Sequence, residues 1–238
     1  MRQARTIPVD RSQIRTLTES VVREITDFVS PFLRRGEAKY DLQYQRGFDA
    51  RKTLRAGFYT GRDVTGSGFS IPVFIDFKEN VRSLGTSRDL IPLGGLYQQG
   101  YPGKRFIPRS VTLTVNSAAS VEDILDQSRL RKQVQSVLLH EITHASDWMV
   151  AKKPRKRTRA EYINAPEEIR ARIPQIAEEI LPTDLRVDVA LRGSEIWKSI
   201  RDDLTEDNRK RILKTLSVMN SRARVASVFL GQKRSGMR

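Results

Sequence analysis

Both histidines of this 238-residue chain fall within five residues, His140-Glu141-Ile142-Thr143-His144. On a helix, positions i and i+4 share one face about one turn apart, so the two imidazoles can converge on one ion. Glu141 is the next residue along. From there its carboxylate can reach a metal-bound water without ligating the metal, which is what a general base needs. The pattern points to metal-assisted hydrolysis, with Zn²⁺, one per chain, as the expected ion. A helix is expected because Val134, Val137, Leu138, Ile142 and Ala145 form an apolar stripe at helical spacing.

A catalytic zinc takes three protein ligands and keeps one position open. The chain has no cysteine and no third histidine. The third ligand is therefore a carboxylate, with tyrosine the less favoured choice. Asp147, Glu161, Glu167, Glu168, Glu178 and Glu179 are the downstream candidates. Asp147 would stand on the same helix as the histidines, and three ligands stacked along one helix lie too far apart to close around a small ion. It is better placed as an acceptor for a ring N–H of His144.

The segment Tyr162-Ile163-Asn164-Ala165-Pro166-Glu167-Glu168-Ile169-Arg170-Ala171 completes a longer pattern. Read with HEITHASD at 140–147, it gives H-E-x-x-H-A-x-D followed by Y-x-N-x-P-x-E-[IV]-x-A. This resembles a group of zincin-like metallopeptidases found mainly in bacteriophages and bacteria. The resemblance spans 140–171. It implies Glu168, 24 residues after His144, as the third zinc ligand. It also implies a zincin-like α+β fold: a small twisted β-sheet packed on an HExxH active-site helix, then a mostly helical C-terminal part. A cytoplasmic or virion-associated location follows from the same resemblance.

The residues themselves agree with Glu168, which would sit in the first turn of a helix beginning near Ala165, where an anion is favoured. Glu167 stays a rival, because spacing alone does not fix the helix phase. Asn164 is a natural cap for that helix. Tyr162 would be a core or lid aromatic, or a hydroxyl donor to a transition-state oxyanion. Arg170 would be a surface residue, or would pair with carboxylates of the site or substrate. The elongated zinc motif of metzincins is missing, and Arg172 stands where thermolysin-like enzymes carry an aspartate.

The elements that must position these residues can be read around them. Residues 1–17 read as a flexible basic arm. Val21, Val22, Ile25, Phe28, Val29 and Phe32 predict an amphipathic helix over 18–34, kinked or ended at Ser30-Pro31. Residues 38–70 show no clear period. A strand is expected at 71–77, a loop or short hairpin at 83–108, and a strand at 111–115. That last strand is the candidate edge on which an extended peptide would bind. Ser120 would cap a helix, and a longer one would run from Asp126 or Ser128 to Val150. Another would start near Ala165-Pro166 and reach Ile180, with a kink at Pro174. Thr205 would cap a last helix over 206–229, leaving a basic tail at 232–238. The expectation is one domain over 18–231, with a mixed part at 18–119 and a helical part at 120–231.

The chain holds 43 Lys and Arg against 28 Asp and Glu, a net charge of +15. Such a surplus seeks anionic company. Its densest run holds Lys152, Lys153, Arg155, Lys156, Arg157 and Arg159, with no interleaved aromatic to stack bases. It reads as a solvated loop, as a contact for nucleic acid or an acidic protein, or as a nuclear localisation signal. The absence of cysteine excludes a disulfide framework, a thiolate nucleophile and Cys-ligated metal centres. Apolar runs are too short for a membrane span, and the N-terminus lacks the apolar core of a classical secretory signal.

Two functional readings lead. One is a zinc-dependent metallopeptidase acting on a peptide or protein. The other is a non-catalytic zincin scaffold that assembles a phage particle or nucleoprotein complex. A nucleic-acid-binding module would explain the charge but not HEITH.

Overall fold

The computed structural model describes residues 9–34, 53–62, 68–78, 93–98, 110–116, 126–146, 158–183 and 185–235. The chain forms two compact units, Met1–Lys153 and Pro154–Arg238. The HExxH helix belongs to the first of them.

The first unit opens with α1 (Arg11–Arg34). Asp10 caps it: its Oδ1 accepts the Ser12 N–H at 2.9 Å and the Ser12 hydroxyl at 2.6 Å. These donors, the Ser12 hydroxyl foremost and Gln13 next, hold the Asp10 carboxyl down at about 2. The helix thus starts seven residues before its expected start. Residues 11–17, read from sequence as part of a loose arm, are helical, with Ile14 and Leu17 buried. Pro31 does not end the helix, which carries on to Arg34 although the proline has no N–H to donate to the carbonyl four residues back.

Among the described residues four strands follow: β1 (Thr53–Arg62), β2 (Gly68–Lys78), β3 (Leu93–Gln98) and β4 (Ser110–Asn116). They form one sheet in the order β1-β2-β4-β3. β1 runs antiparallel to β2, β2 parallel to β4, and β3 antiparallel to β4. This corrects one expectation: the strand at 111–115 is interior, and among the described residues the edges are β1 and β3. The reason is that β3 forms from the glycine-rich 83–108 stretch, which reads as loop, and covers the outer side of β4. Pro72 pairs with Phe58 but lies before the β4 register begins at Val73. Its missing N–H therefore costs no bond on the β4 side.

The last element described in this unit is α2 (Gln127–Ser146). Asp126 caps it, accepting the N–H groups of Ser128 and Arg129 at 3.1 and 3.2 Å. The expected Ser120 cap and the stretch 147–150 lie outside the described residues.

One face of the sheet is apolar. Ile71, Val73, Ile75 and Phe77 alternate along β2, and Val111, Leu113 and Val115 along β4. They bury against Val21, Val22, Ile25 and Val29 of α1 and against Leu130, Val134, Leu138 and Ile142 of α2. Each such side chain contributes about 1.5–3 kcal/mol through its removal from water. Phe28 of α1 stacks on Phe77 at 4.0 Å.

The second unit is helical. It holds α3 (Arg159–Ile163), α4 (Pro166–Ile180), a 3₁₀ turn (Leu181–Thr183), α5 (Val187–Ala190), α6 (Glu195–Ile200) and α7 (Glu206–Ser235). Its core joins Ile163, Ile169, Ile176, Ile180, Leu191, Ile200, Leu204, Ile212 and Leu216. α4 continues past Pro174, and α7 takes in residues 232–235 of the expected tail. No helix among the described residues is long and apolar enough to cross a membrane.

Candidate metal centre

α2 carries both histidines on one continuous run of helix, with His144 in its last turn, so helix geometry alone fixes their relation. Their Nε2 atoms stand 3.1 Å apart, with the rings perpendicular. Two nitrogens bound to one tetrahedral zinc at 2.0–2.1 Å would stand about 3.3 Å apart. The pair is therefore spaced for one ion. His140 is buried and His144 half-buried.

Glu168 is 3% exposed and lies in the first turn of α4. Ala165 holds the cap position and offers no side-chain bond, while Pro166 takes the first helical position. The unbonded N–H groups of that turn favour the carboxylate there. One ligand atom each from His140, His144 and Glu168 lie within 4.8 Å of one another, so this group could hold a metal ion. The donors fit: two neutral imidazoles and one carboxylate are a zinc set with room for a fourth ligand.

The other carboxylate candidates divide clearly. Glu161 serves a capping box with Thr158: its Oε2 accepts the Thr158 N–H at 2.7 Å, and its own N–H donates to Thr158 Oγ1 at 3.2 Å. Glu179 accepts the Ser194 hydroxyl, and burial pushes its carboxyl upward. Glu167 and Glu178 are not in the donor group. Asp147 lies outside the described residues.

Asn164 corrects another expectation. It does not cap α4 but ends α3, and it ties three segments of the second unit together. Its Nδ2 donates to the carbonyls of Ala160 (2.8 Å) and Asp203 (2.6 Å). Its Oδ1 accepts from the Thr205 N–H (2.7 Å) and Asn208 Nδ2 (2.9 Å). The turn before Pro166, and with it the starting phase of α4, is held by these bonds.

Glu141 is 8% exposed, and its Oε2 accepts the backbone N–H of Tyr97 on β3 at 2.7 Å. Sequence reasoning missed this partner, because a backbone donor leaves no side-chain signature. The trace it did leave is Gly95, which the glycine-rich stretch disguised as loop. Tyr162 is 44% exposed, so it is not a core aromatic. Arg170 lies half-buried on α4.

Of the basic run, only Arg159 is described. Its Nε bonds Asp203 at 2.8 Å and its guanidinium reaches the Ser199 carbonyl at 3.0 Å. Lys152, Lys153, Arg155, Lys156 and Arg157 lie outside the described residues.

Comparison with known proteins finds no family model, no curated protein and no solved structure that matches this chain.

Proposed function

We propose that the protein is a zinc-dependent metallopeptidase of the zincin type. The observation that carries this reading is the grouping of His140, His144 and Glu168, with Glu141 buried beside the first histidine. His140, His144 and Glu168 would hold the ion. A bound zinc would supply a water of lowered pKa and a Lewis acid for the scissile carbonyl. The chain's own work is then proton handling. Glu141 takes the water's proton on a carboxylate oxygen and returns it to the leaving amine. Burial keeps that carboxylate in a medium where its orientation, rather than exchange with bulk water, decides its action. The antiparallel edge that an extended peptide could join is β3, not β4.

The test is zinc content and hydrolysis of an unstructured protein substrate by the wild type, Glu141→Gln and Glu168→Ala. The expected result is one zinc per chain in the wild type, zinc kept but hydrolysis lost in Glu141→Gln, and zinc lost in Glu168→Ala. A wild type that takes up no zinc when purified with it overturns the reading. Zinc at full occupancy without hydrolysis favours the second reading, a non-catalytic metal site in a basic assembly protein, which the +15 charge supports.

A further inference from the structure

We propose that Gly95 and the Tyr97 amide of β3 are positioning elements for Glu141. The absent side chain lets the strand close on α2, and the amide pins one carboxylate oxygen so that the other acts. This rests on the reading of Glu141 as the base.

The contact is unusually close. A Cβ on residue 95 would lie 2.5 Å from Val137 Cγ1, 2.8 Å from Glu141 Cγ and 2.8 Å from Glu141 Oε1. Atoms do not approach so near, so any side chain there forces a shift. The neighbours have little freedom to give way. Val137 is β-branched and stiff at χ1 in a helix. Glu141 Cγ is mid-chain, and its far end is already bonded. The strand itself would have to lift from the helix.

Two residues on, the Tyr97 N–H donates to Glu141 Oε2 at 2.7 Å. This is a charge-assisted bond at the short end of the N–H···O range. Among the described residues β3 is an edge strand that pairs with β4 alone. The Tyr97 N–H therefore faces away from the ladder and finds its acceptor on α2. A backbone donor carries no rotamers and cannot titrate, so it fixes Oε2 without side-chain ordering cost. Oε1 is left as the proton acceptor. Gly95 sets the distance across which this bond forms. Lifting the strand by even an ångström takes the amide out of range.

The test uses the full chain loaded with zinc and reads amide hydrogen exchange at Tyr97, alongside zinc content and kcat. Glu141→Ala removes the acceptor and should speed Tyr97 exchange about tenfold or more. Glu141→Gln keeps a carbonyl acceptor and should leave Tyr97 protected while turnover is lost. Gly95→Ala should speed Tyr97 exchange as Glu141→Ala does, keep its zinc, and lower kcat by about 10²-fold at little cost in KM. Should Gly95→Ala fail to fold, the double variant Gly95→Ala/Val137→Ala removes the closest contact and should still show fast Tyr97 exchange. Equal Tyr97 exchange in the wild type and Glu141→Ala overturns the proposal while the peptidase reading stands. So does a Gly95→Ala protein with wild-type exchange and wild-type kcat. A wild type that hydrolyses nothing fails the peptidase reading itself, and the proposal falls with it even where the exchange pattern holds.

Discussion

α2 carries two donors one turn apart on the same helix, whereas α4 carries a single donor in its first turn. In α2 the relation of His140 to His144 is a property of any α-helix. It does not depend on where the helix begins, and Asp126 at the cap is remote from both histidines. In α4 the direction of Glu168 depends on the starting residue. That start is set by Pro166 and by bonds that Asn164 makes to Ala160, Asp203, Thr205 and Asn208. One donor pair is thus fixed by local geometry, and the other donor by a network outside its own helix. The two should fail differently when perturbed.

The largest effect is chemical. Glu141→Gln should lower turnover by about 10²–10⁴-fold with zinc retained, whereas His144→Ala should lose the zinc itself. Peptide hydrolysis and elemental analysis on the same preparations separate the two.

Next comes core packing. Leu138→Ala in α2 removes a fully buried side chain and should cost about 3 kcal/mol in urea unfolding. Zinc affinity of the folded fraction should not move, because the spacing of the histidines is unchanged. A matching loss of affinity would break the claim that α2 positions its donors locally.

Asn164→Ala sharpens the contrast. It strands partners in three segments and should cost about 2 kcal/mol. Unlike Leu138→Ala, it should also weaken zinc binding, by loosening the start of α4. Asp126→Ala removes a cap of comparable rank from α2 and should cost about 1 kcal/mol with zinc affinity kept. Titration with a competing chelator reads both.

The smallest effect is in acid. The Asp10 carboxyl is held at about 2, below its ordinary value of 3.8. A depressed carboxyl contributes stability that is present above its unfolded value and is lost as pH falls through the folded one. The wild type should therefore lose more stability than Asp10→Asn between pH about 4 and about 2. Parallel melting curves across that window would show the difference, and coincident curves would remove Asp10 from the account.

What could be read from sequence follows the same division. The HEITH helix was legible because its pattern is periodic and local, and so was the Pro166 start. The interior strands β2 and β4 were legible because β-branched residues alternate. β1 was not: a bulge between Arg55 and Gly57 breaks its period. β3 was not either, since Leu93-Gly94-Gly95-Leu96 spells a turn until a helix lies against it. The role of Asn164 was misread because its partners lie some 40 residues away in sequence. The grip on Glu141 was invisible because its donor is backbone.

The parallel seam between β2 and β4 has a consequence for how the chain reaches this state. β1 with β2, and β3 with β4, are antiparallel neighbours in sequence, but Val73 meets Val111 across 38 residues. Loop closure makes such a pairing slow relative to the local ones. Until it closes, β2 and β4 each present an open edge, and Val111-Thr112-Leu113-Thr114-Val115 is an uncharged, proline-free, β-prone segment. During synthesis and refolding this seam is where the chain is most exposed to pairing with another copy of itself. Soluble yield should accordingly fall with concentration and rise when a charge replaces Thr112 or Thr114, whose positions lie off the buried face of β4.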